Sequence, residues 1–434
     1  MTLALSSLIL MGLLALFLGA GVWIFSGLIL VGTSAMYFVL DFPAARIGSI
    51  ATKVISSSAI SWELAAIPIF IWMGDIIFRT DISQRLFRGL APLVARIPGG
   101  LLHTNVFGCT IFAAISGSST ATTATVGKIT VPELQERGYD INLASGSLAG
   151  AGSFGLLIPP SITMIVYGVL AEVSISKLFA AGLVPGLMMA GLYAGYIAIV
   201  SLMNPDKAPR YTGDTSFRAM LHGCLELLPI ALLMFVVLGS IYSGLATPSE
   251  AAAVGVFAAI MITIATRQFS FHKLAESLMS TLRVSAMILM LIAAAAFLSA
   301  VIAYLHLPTD ITAAISRLDL SPYGVLIILA VLYIILGMFL DGTSMTVMTV
   351  PIAVPLVVQA GFDPIWFGIY LIIMIEMSAL TPPVGLNLFV LQGLTGHTLG
   401  QTMRAAAPFF LLLVLGVIIL AIFPEIVLWL PNAL

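Results

Sequence analysis

Apolar residues run along this chain in blocks of about twenty, and polar residues gather in the short stretches between them. Cutting the blocks at charges and at Pro/Gly clusters predicts helical spans near 3–20, 22–40, 60–79, 141–170, 178–203, 224–243, 246–266, 285–305, 364–392 and 405–423. Blocks of this size match the roughly 20 residues that carry a helix through a ~30 Å hydrocarbon core. Strand-sized alternation is absent, so a membrane barrel is not expected. Helices remain as the spanning elements, because a lipid-exposed backbone must satisfy its own hydrogen bonds. The stretch 41–60 reads as a loop. The first block has no basic leader or cleavage site and continues into further spans, so it is expected to be retained helix.

Two apolar regions, 99–138 and 321–361, break in mid-length at a polar, glycine-containing turn, Ser116-Gly117-Ser118-Ser119 in one and Asp341-Gly342-Thr343-Ser344 in the other. Each reads as a re-entrant pair of short helices meeting at a tip. The regions also match each other. Gly117 pairs with Gly342 at an offset of 225, and after a two-residue deletion Pro132 pairs with Pro355, Gly138 with Gly361, Asp140 with Asp363 and Pro159-Pro160 with Pro382-Pro383, all at 223. A constant offset of this kind marks an internal duplication. The repeating unit is a broken hairpin followed by a long helix with a Pro-Pro pair, which divides the chain into residues 1–218 and 219–434.

Composition turns the span pattern into a class. With 60% hydrophobic and 8% charged residues and a mean hydropathy of +1.15, the chain is excluded from the soluble proteins, where roughly 25% of residues are charged. The net charge of -2, with no basic tract, gives no case for nucleic acid. Cys109 and Cys224 stand far apart in apolar surroundings and read as small buried thiols. The charges are most informative about topology, since cytoplasmic loops carry the excess of Lys and Arg. Arg79, Arg85, Arg88 and Arg96 precede the first hairpin, whereas Arg317 stands with Asp310 and Asp319 before the second. Lys207, Arg210 and Arg218, and then Arg267, Lys273 and Arg283, mark two more cytoplasmic loops. The first hairpin is therefore expected to enter from the cytoplasm and the second from outside. Five spans per half make the repeats inverted and put both termini outside, with Arg46 and Lys53 a mild exception on the outer side.

Inverted repeats with discontinuous helices are the architecture of secondary transporters, whose sites lie near the membrane midplane. The residues at the breaks suit that use. Between Ser116 and Thr125 there are seven hydroxyl residues, Ser116, Ser118, Ser119, Thr120, Thr122, Thr123 and Thr125. Hydroxyls and freed carbonyls at helix ends can ligate a small hard cation such as sodium. They can equally satisfy backbone groups between helices; the duplication favours a site. Span 141–170 would measure about 45 Å as one straight helix, and Gly150, Gly152 and Gly155 ahead of Pro159-Pro160 predict that it unwinds, or at least kinks, in the middle. Its partner does so at Ser378, Thr381, Pro382-Pro383 and Gly385. Each half thus offers a tip and a break, enough for one sodium ion apiece. Asp341 and Glu376 map as the deepest charges and are candidates for coupling, Asp341 also as a helix N-cap. Glu63 and Asp75 lie near span ends. The five histidines are scattered without HExxH spacing, against a zinc enzyme. Neither tip carries a basic residue, so an anionic substrate would be held by sodium, helix N-termini and hydroxyls. Ser119, Ser161, Thr343 and Asn387 are the candidates for substrate contact.

The motifs ISGSSTATTATVGKITVPELQERGYD, GSFGLLIPPSITMIVYG and LFAAGLVPG, with FLDGTSMTVMTVPIAVPLVVQAGFDP and LTPPVGLNLFVLQG in the second half, resemble the DctM-like large membrane subunit of the tripartite ATP-independent periplasmic (TRAP) transporters over nearly the whole chain. The resemblance implies an all-α elevator-type importer of organic-acid anions in the bacterial inner membrane, coupled to sodium. It also implies a small four-helix membrane subunit, expected to be a separate chain, and a periplasmic substrate-binding protein. Carried onto this sequence, the family's sodium sites are Ser116, Gly117 and Ser118 with Gly155 and Pro159, and Gly342 and Thr343 with Ser378 and Thr381; Asp341 matches an important acidic position. Two other readings are a stand-alone sodium/dicarboxylate carrier and an intramembrane serine protease, for which Ser118 lacks an evident base.

Overall fold

The computed structural model describes residues 12–13, 16–17, 19–306, 321–382 and 385–434, so Asp310, Arg317, Asp319 and Pro383 lie outside the described residues. All regular elements among the described residues are helical. The first half runs α1 (Ile24–Phe38), α2 (Ala44–Ala59), α3 (Ala66–Phe78), α4 (Ile82–Val94), the hairpin α5 (His103–Ser116) and α6 (Ser119–Glu136), then α7 (Ile141–Gly152), α8 (Phe154–Leu157), α9 (Ile162–Leu170) and α10 (Ile175–Met203). The second half runs α11 (Phe217–Tyr242), α12 (Pro248–Ala265), α13 (Phe271–Tyr304), the hairpin α14 (Pro322–Gly337) and α15 (Gly342–Gln359), then α16 (Pro364–Ala379), α17 (Leu386–Thr395), α18 (Leu399–Ile422) and α19 (Glu425–Ala433). Among the described residues, six helices are individually long and apolar enough to cross a membrane, and two pairs bent by 56° (Ala44–Ala59 with Trp62–Phe78) and 42° (Ile141–Leu157 with Ile162–Leu170) bring the number to eight if each pair is one span.

Both predicted hairpins and both predicted breaks are present. The outgoing arm of the first hairpin, α6, packs on α17 beyond the second break, and the outgoing arm of the second, α15, packs on α9 beyond the first. This reciprocal exchange interlocks the two halves. Helices α7 and α16 are buried along nearly their whole circumference, Leu143–Gly152 in one and Trp366–Ser378 in the other, as befits helices at the centre of a bundle. The 34-residue α13 runs past α1, α2 and α3 and also touches α15.

Two sequence expectations need correction. Residues 41–60 are not a loop: Ala44–Ala59 is helical, and its single partly shielded stripe, Ile47, Ile50, Ala51, Val54 and Ile55, has helical spacing that Arg46, Lys53 and the serines obscured. Cys224 is exposed on α11 instead of buried, whereas Cys109 is buried in α5.

The basic segments gather at one end of the molecule. Arg79 bonds Asp75 at 2.9 Å and Glu276 at 2.7 Å, the Asp81 N–H donates to Gln268 Oε1 at 2.8 Å, Arg96 donates to the Thr215 carbonyl at 3.0 Å, and the Asp140 N–H donates to the Lys207 carbonyl at 2.9 Å. The first of the three segments assigned to one side by charge alone thus touches both of the others. At the other end, Ser249 donates to the Trp62 carbonyl at 3.3 Å.

Candidate functional site

The first tip forms because Gly117 ends α5 with φ +56, a conformation that L side chains rarely adopt, and Ser118 turns back in extended geometry to start α6. The freed groups are taken up within the tip. Ser116 Oγ lies 2.6 Å from Thr122 Oγ1 and donates to the Ser118 carbonyl at 3.1 Å, Thr122 Oγ1 donates to the same carbonyl at 2.8 Å, and the Ser118 N–H donates to Ser116 Oγ at 3.2 Å. A helix break faces this cluster. A Cβ on Gly155 would lie 2.5 Å from the Ser118 carbonyl carbon and oxygen, and one on Gly117 would lie 3.3 Å from the Pro160 carbonyl. The tip and the break therefore approach to backbone contact.

The second tip is built differently. Asp341 caps α15, accepting from the Thr343 N–H at 3.0 Å, the Ser344 N–H at 3.2 Å and the Ser344 hydroxyl. Where α16 ends, Ser378 Oγ donates to the Ile375 carbonyl at 2.6 Å and Thr381 Oγ1 to the Met377 carbonyl at 2.8 Å. Gly385 then turns with φ +43, its α-carbon close to the Ala379 and Thr381 carbonyls, which a Cβ would meet at 3.3 and 3.0 Å. The first cluster consists of hydroxyl and carbonyl oxygens and the second adds the Asp341 carboxylate, both within the oxygen donor set of a small hard cation, so sodium fits the chemistry of either.

Between the tips lies a cavity of about 220 Å³. Its wall takes Gly117–Thr120 from the first tip, Gly337 and Leu340–Thr343 from the second, Leu156, Ile162 and Thr163 from the first break, Ile375, Glu376, Ser378, Ala379, Leu386 and Asn387 from the second, and Val284, Met287 and Ile288 from α13. Both halves thus furnish one cavity. No Lys, Arg or His is among these lining residues, while Asp341 and Glu376 are. Across the middle, Ser119 Oγ donates to Glu376 Oε2 at 2.8 Å and receives Asn387 Nδ2 at 2.6 Å.

Of the residues singled out in the sequence, Gly117, Ser118, Ser119, Asp341, Gly342, Thr343, Glu376, Ser378 and Asn387 line the cavity. Ser116, Gly155, Pro159 and Thr381 stand outside that wall, Ser116 and Gly155 at the back of the first tip. Ser161 is fully buried, and its Oγ caps α9 by accepting from the Met164 N–H at 3.5 Å. The α13 face, Val284, Met287 and Ile288, escaped the sequence reading. Its spacing of three and four residues was the available signal, but apolar side chains so spaced also describe any packed helix.

The sequence matches the family described as "Tripartite ATP-independent periplasmic transporter, DctM component" over residues 10–426. It is 36% identical to the C4-dicarboxylate TRAP transporter large permease protein DctM of Pseudomonas aeruginosa, covering 93% of each chain. It is 32% identical to the isethionate TRAP transporter permease protein DctMQ of Oleidesulfovibrio alaskensis, over 96% of this chain and 65% of that longer one. Among solved structures, the YdaH transporter of Alcanivorax borkumensis shares the fold, with a TM-score of 0.63 at 17% identity over 90% of this chain and 89% of the other.

Proposed function

This chain belongs to the DctM family of tripartite ATP-independent periplasmic transporters, and from that membership we propose that it is the permease through which a sodium gradient drives uptake of a small organic anion. The observation that carries the proposal is the single cavity walled by both hairpin tips and both helix breaks. A site shared by two interlocked repeats can be exposed to either side by exchanging their conformations. In this reading, the hairpins and broken helices form the moving, elevator-like body, and α11 to α13 with α1 to α3 form the scaffold. One sodium ion occupies each tip and break: Ser116, Gly117, Ser118, Gly155 and Pro159 in the first half, Gly342, Thr343, Ser378 and Thr381 in the second. Ser119, Thr343 and Asn387 meet the anion. Asp341 and Glu376 couple its binding to that of the cations.

The protein is a multi-pass protein of the bacterial inner membrane; in this reading the end that gathers the arginines faces the cytoplasm and both termini lie in the periplasm. A periplasmic binding protein delivers the substrate, and a small four-helix membrane subunit braces the scaffold; the longer relative named DctMQ supports an intimate pairing with that subunit. The test is uptake into proteoliposomes containing both membrane subunits and supplied with loaded binding protein. Uptake that requires inward sodium and stops when choline replaces it supports the reading. Equal uptake in choline refutes the coupling. A lone chain that transports as well as the full set would point instead to the stand-alone carrier.

A further inference from the structure

The offset of 225 pairs scaffold elements as well as hairpins. Shifted by it, α1 falls on α12, α2 on the first part of α13, and α3 on the rest of α13. The two copies differ in shape. Between α2 and α3 the chain breaks at Ile60 and Ser61, turns through Trp62–Ala65 and bends by 56°, whereas α13 runs unbroken for 34 residues. Val284, Met287 and Ile288, the α13 residues on the cavity wall, are thus the counterparts of Ala59, Trp62 and Glu63 at that bend. Trp62 and Glu63 border a space of their own. A cleft of about 570 Å³ lies at the end away from the arginines, lined by both of them, by Gly168, Val169 and Glu172 at the end of α9, and by Ser249. The Trp62 side chain is 71% exposed there, among carboxylates and hydroxyls. Helix α9 connects the two spaces. Ile162 and Thr163, at its start, line the central cavity, and Gly168 and Val169, six residues further on, line the outer cleft. At 1.5 Å per residue the two pairs stand about 9 Å apart along the helix. A slide of α9 by that distance past the Trp62–Ala65 turn, against which it packs, would bring Ile162 and Thr163 to where Gly168 and Val169 now stand. The packing of the hairpins is lopsided in keeping with such a slide. The outgoing arm of the second, α15, packs on α13, while its counterpart α6 has no extended packing on α2 or α3 among the described residues.

We infer that Trp62 and Glu63 are the scaffold wall of the transport cavity in its outward-facing state, taking the places that Met287 and Ile288 hold here. The inference rests on the proposal that this cavity carries substrate between the two sides, and adds which residues meet it at the outer one. Inverted repeats work by exchanging conformations, so a wall furnished by one repeat in one state is furnished by its counterpart in the other. The repeat offset and the slide of α9 reach the same two residues independently. The scaffold side of the site then differs chemically between the states. At the inner position it offers a thioether and an alkyl group, and at the outer position an indole and a carboxylate.

The test traps the slide during transport. In a cysteine-free background Ile162→Cys is combined with Trp62→Cys or, should loss of the indole impair folding, with Glu63→Cys, and each protein is reconstituted with the small subunit and loaded binding protein. A short bifunctional methanethiosulfonate is added while uptake is running. The Ile162 pair should become cross-linked, uptake should stop as the link forms, and dithiothreitol should restore it. Val169→Cys with Glu63→Cys, both on the outer cleft in the state seen here, should link before uptake is started. Uptake that continues while neither Ile162 pair links overturns the inference, and so does a link that leaves uptake unchanged. Spin labels at Glu63→Cys and Glu172→Cys give a second readout that leaves Ile162 intact. Sodium and loaded binding protein should bring up a second, longer distance between them, and a single unchanged distance in a complex that transports overturns the inference as well. Cross-linking of the Ile162 pair with equal uptake in sodium and choline would keep the wall and refute the sodium coupling alone, whereas a wild-type complex without any uptake would refute the transport reading and the inference with it.

Discussion

Gly155→Ala is the substitution whose consequence can be worked out furthest. Its Cβ would sit 2.5 Å from the Ser118 carbonyl carbon and oxygen and 2.6 Å from the Ser119 Cα, all backbone atoms, whereas ordinary contact begins at about 3.4 Å. The first tip would have to retreat by the difference, about 0.9 Å. It cannot do so freely, because the adjoining Ser119 Oγ is tied outside the tip to the Gly152 carbonyl, Glu376 Oε2 and Asn387 Nδ2. Forcing a methyl into a packed interior costs about 1–3 kcal/mol. If the tip and the break together hold an ion, that cost falls on the ion-bound state, and the half-saturating sodium concentration should rise about tenfold. Gly342→Ala is the control. Its Cβ would meet the Ile375 Cγ2 at 2.7 Å and the Leu156 Cδ1 at 3.2 Å, side-chain ends that can turn away, so sodium dependence should change less than about threefold. Both variants are assayed as sodium titrations of uptake in proteoliposomes with both partners, on protein whose thermal midpoint is measured alongside. A folded Gly155→Ala protein with wild-type sodium half-saturation would refute the placement of an ion between this tip and this break.

Three further outcomes are expected. Asp341→Asn keeps a good N-cap, whereas Asp341→Ala loses about 1 kcal/mol of capping; a coupling role requires that both variants lose most sodium-driven uptake while only Ala lowers the thermal midpoint, and normal uptake by Asp341→Asn would reduce Asp341 to a cap. In a cysteine-free background, Leu245→Cys, strongly exposed between α11 and α12, should react with an impermeant thiol reagent added outside cells and Arg88→Cys should not; the opposite pattern would turn the topology over. The chain reconstituted alone, with substrate and a sodium gradient, should transport negligibly and recover when the small subunit and loaded binding protein are both supplied, because docking must favour the outward-open state more than the inward-open one.

The hairpins and breaks were legible because each leaves a local chemical mark. Gly117 and Gly342 at the tips, and prolines at the breaks, are residues that a continuous helix does not want, and their repetition at a fixed offset separated design from accident. What was illegible depended on three-dimensional neighbours. Ala44–Ala59 has a helical apolar stripe, but its charges and serines masked it. Asp341 was legible as a cap at the second tip, but not that it faces a cavity shared with the first. Ser161 and Ser119 look alike in sequence; one caps α9 and the other bridges to Glu376 and Asn387, residues more than 250 positions away. No window along the chain contains that bridge.

The electrostatics of the cavity give the proposed coupling a reason that does not depend on resemblance. An anion entering a wall that holds the Asp341 carboxylate and, among its described lining residues, no cationic side chain meets like charge, and in a partly dehydrated interior like charges repel far more strongly than in water. Asp341 already sets its charge against the N-terminus of α15, which softens that repulsion but does not neutralise an incoming carboxylate. In the proposed coupling the missing positive charge arrives with the substrate, as cations at the oxygen clusters beside the cavity. In the proposed coupling, a site built this way would bind its anion poorly until the cations are present, and that dependence would tie uptake to the sodium gradient. A lysine or arginine at the tips would bind the anion more tightly and weaken the tie, because the carboxylate would then find its counter-charge whether or not sodium was present.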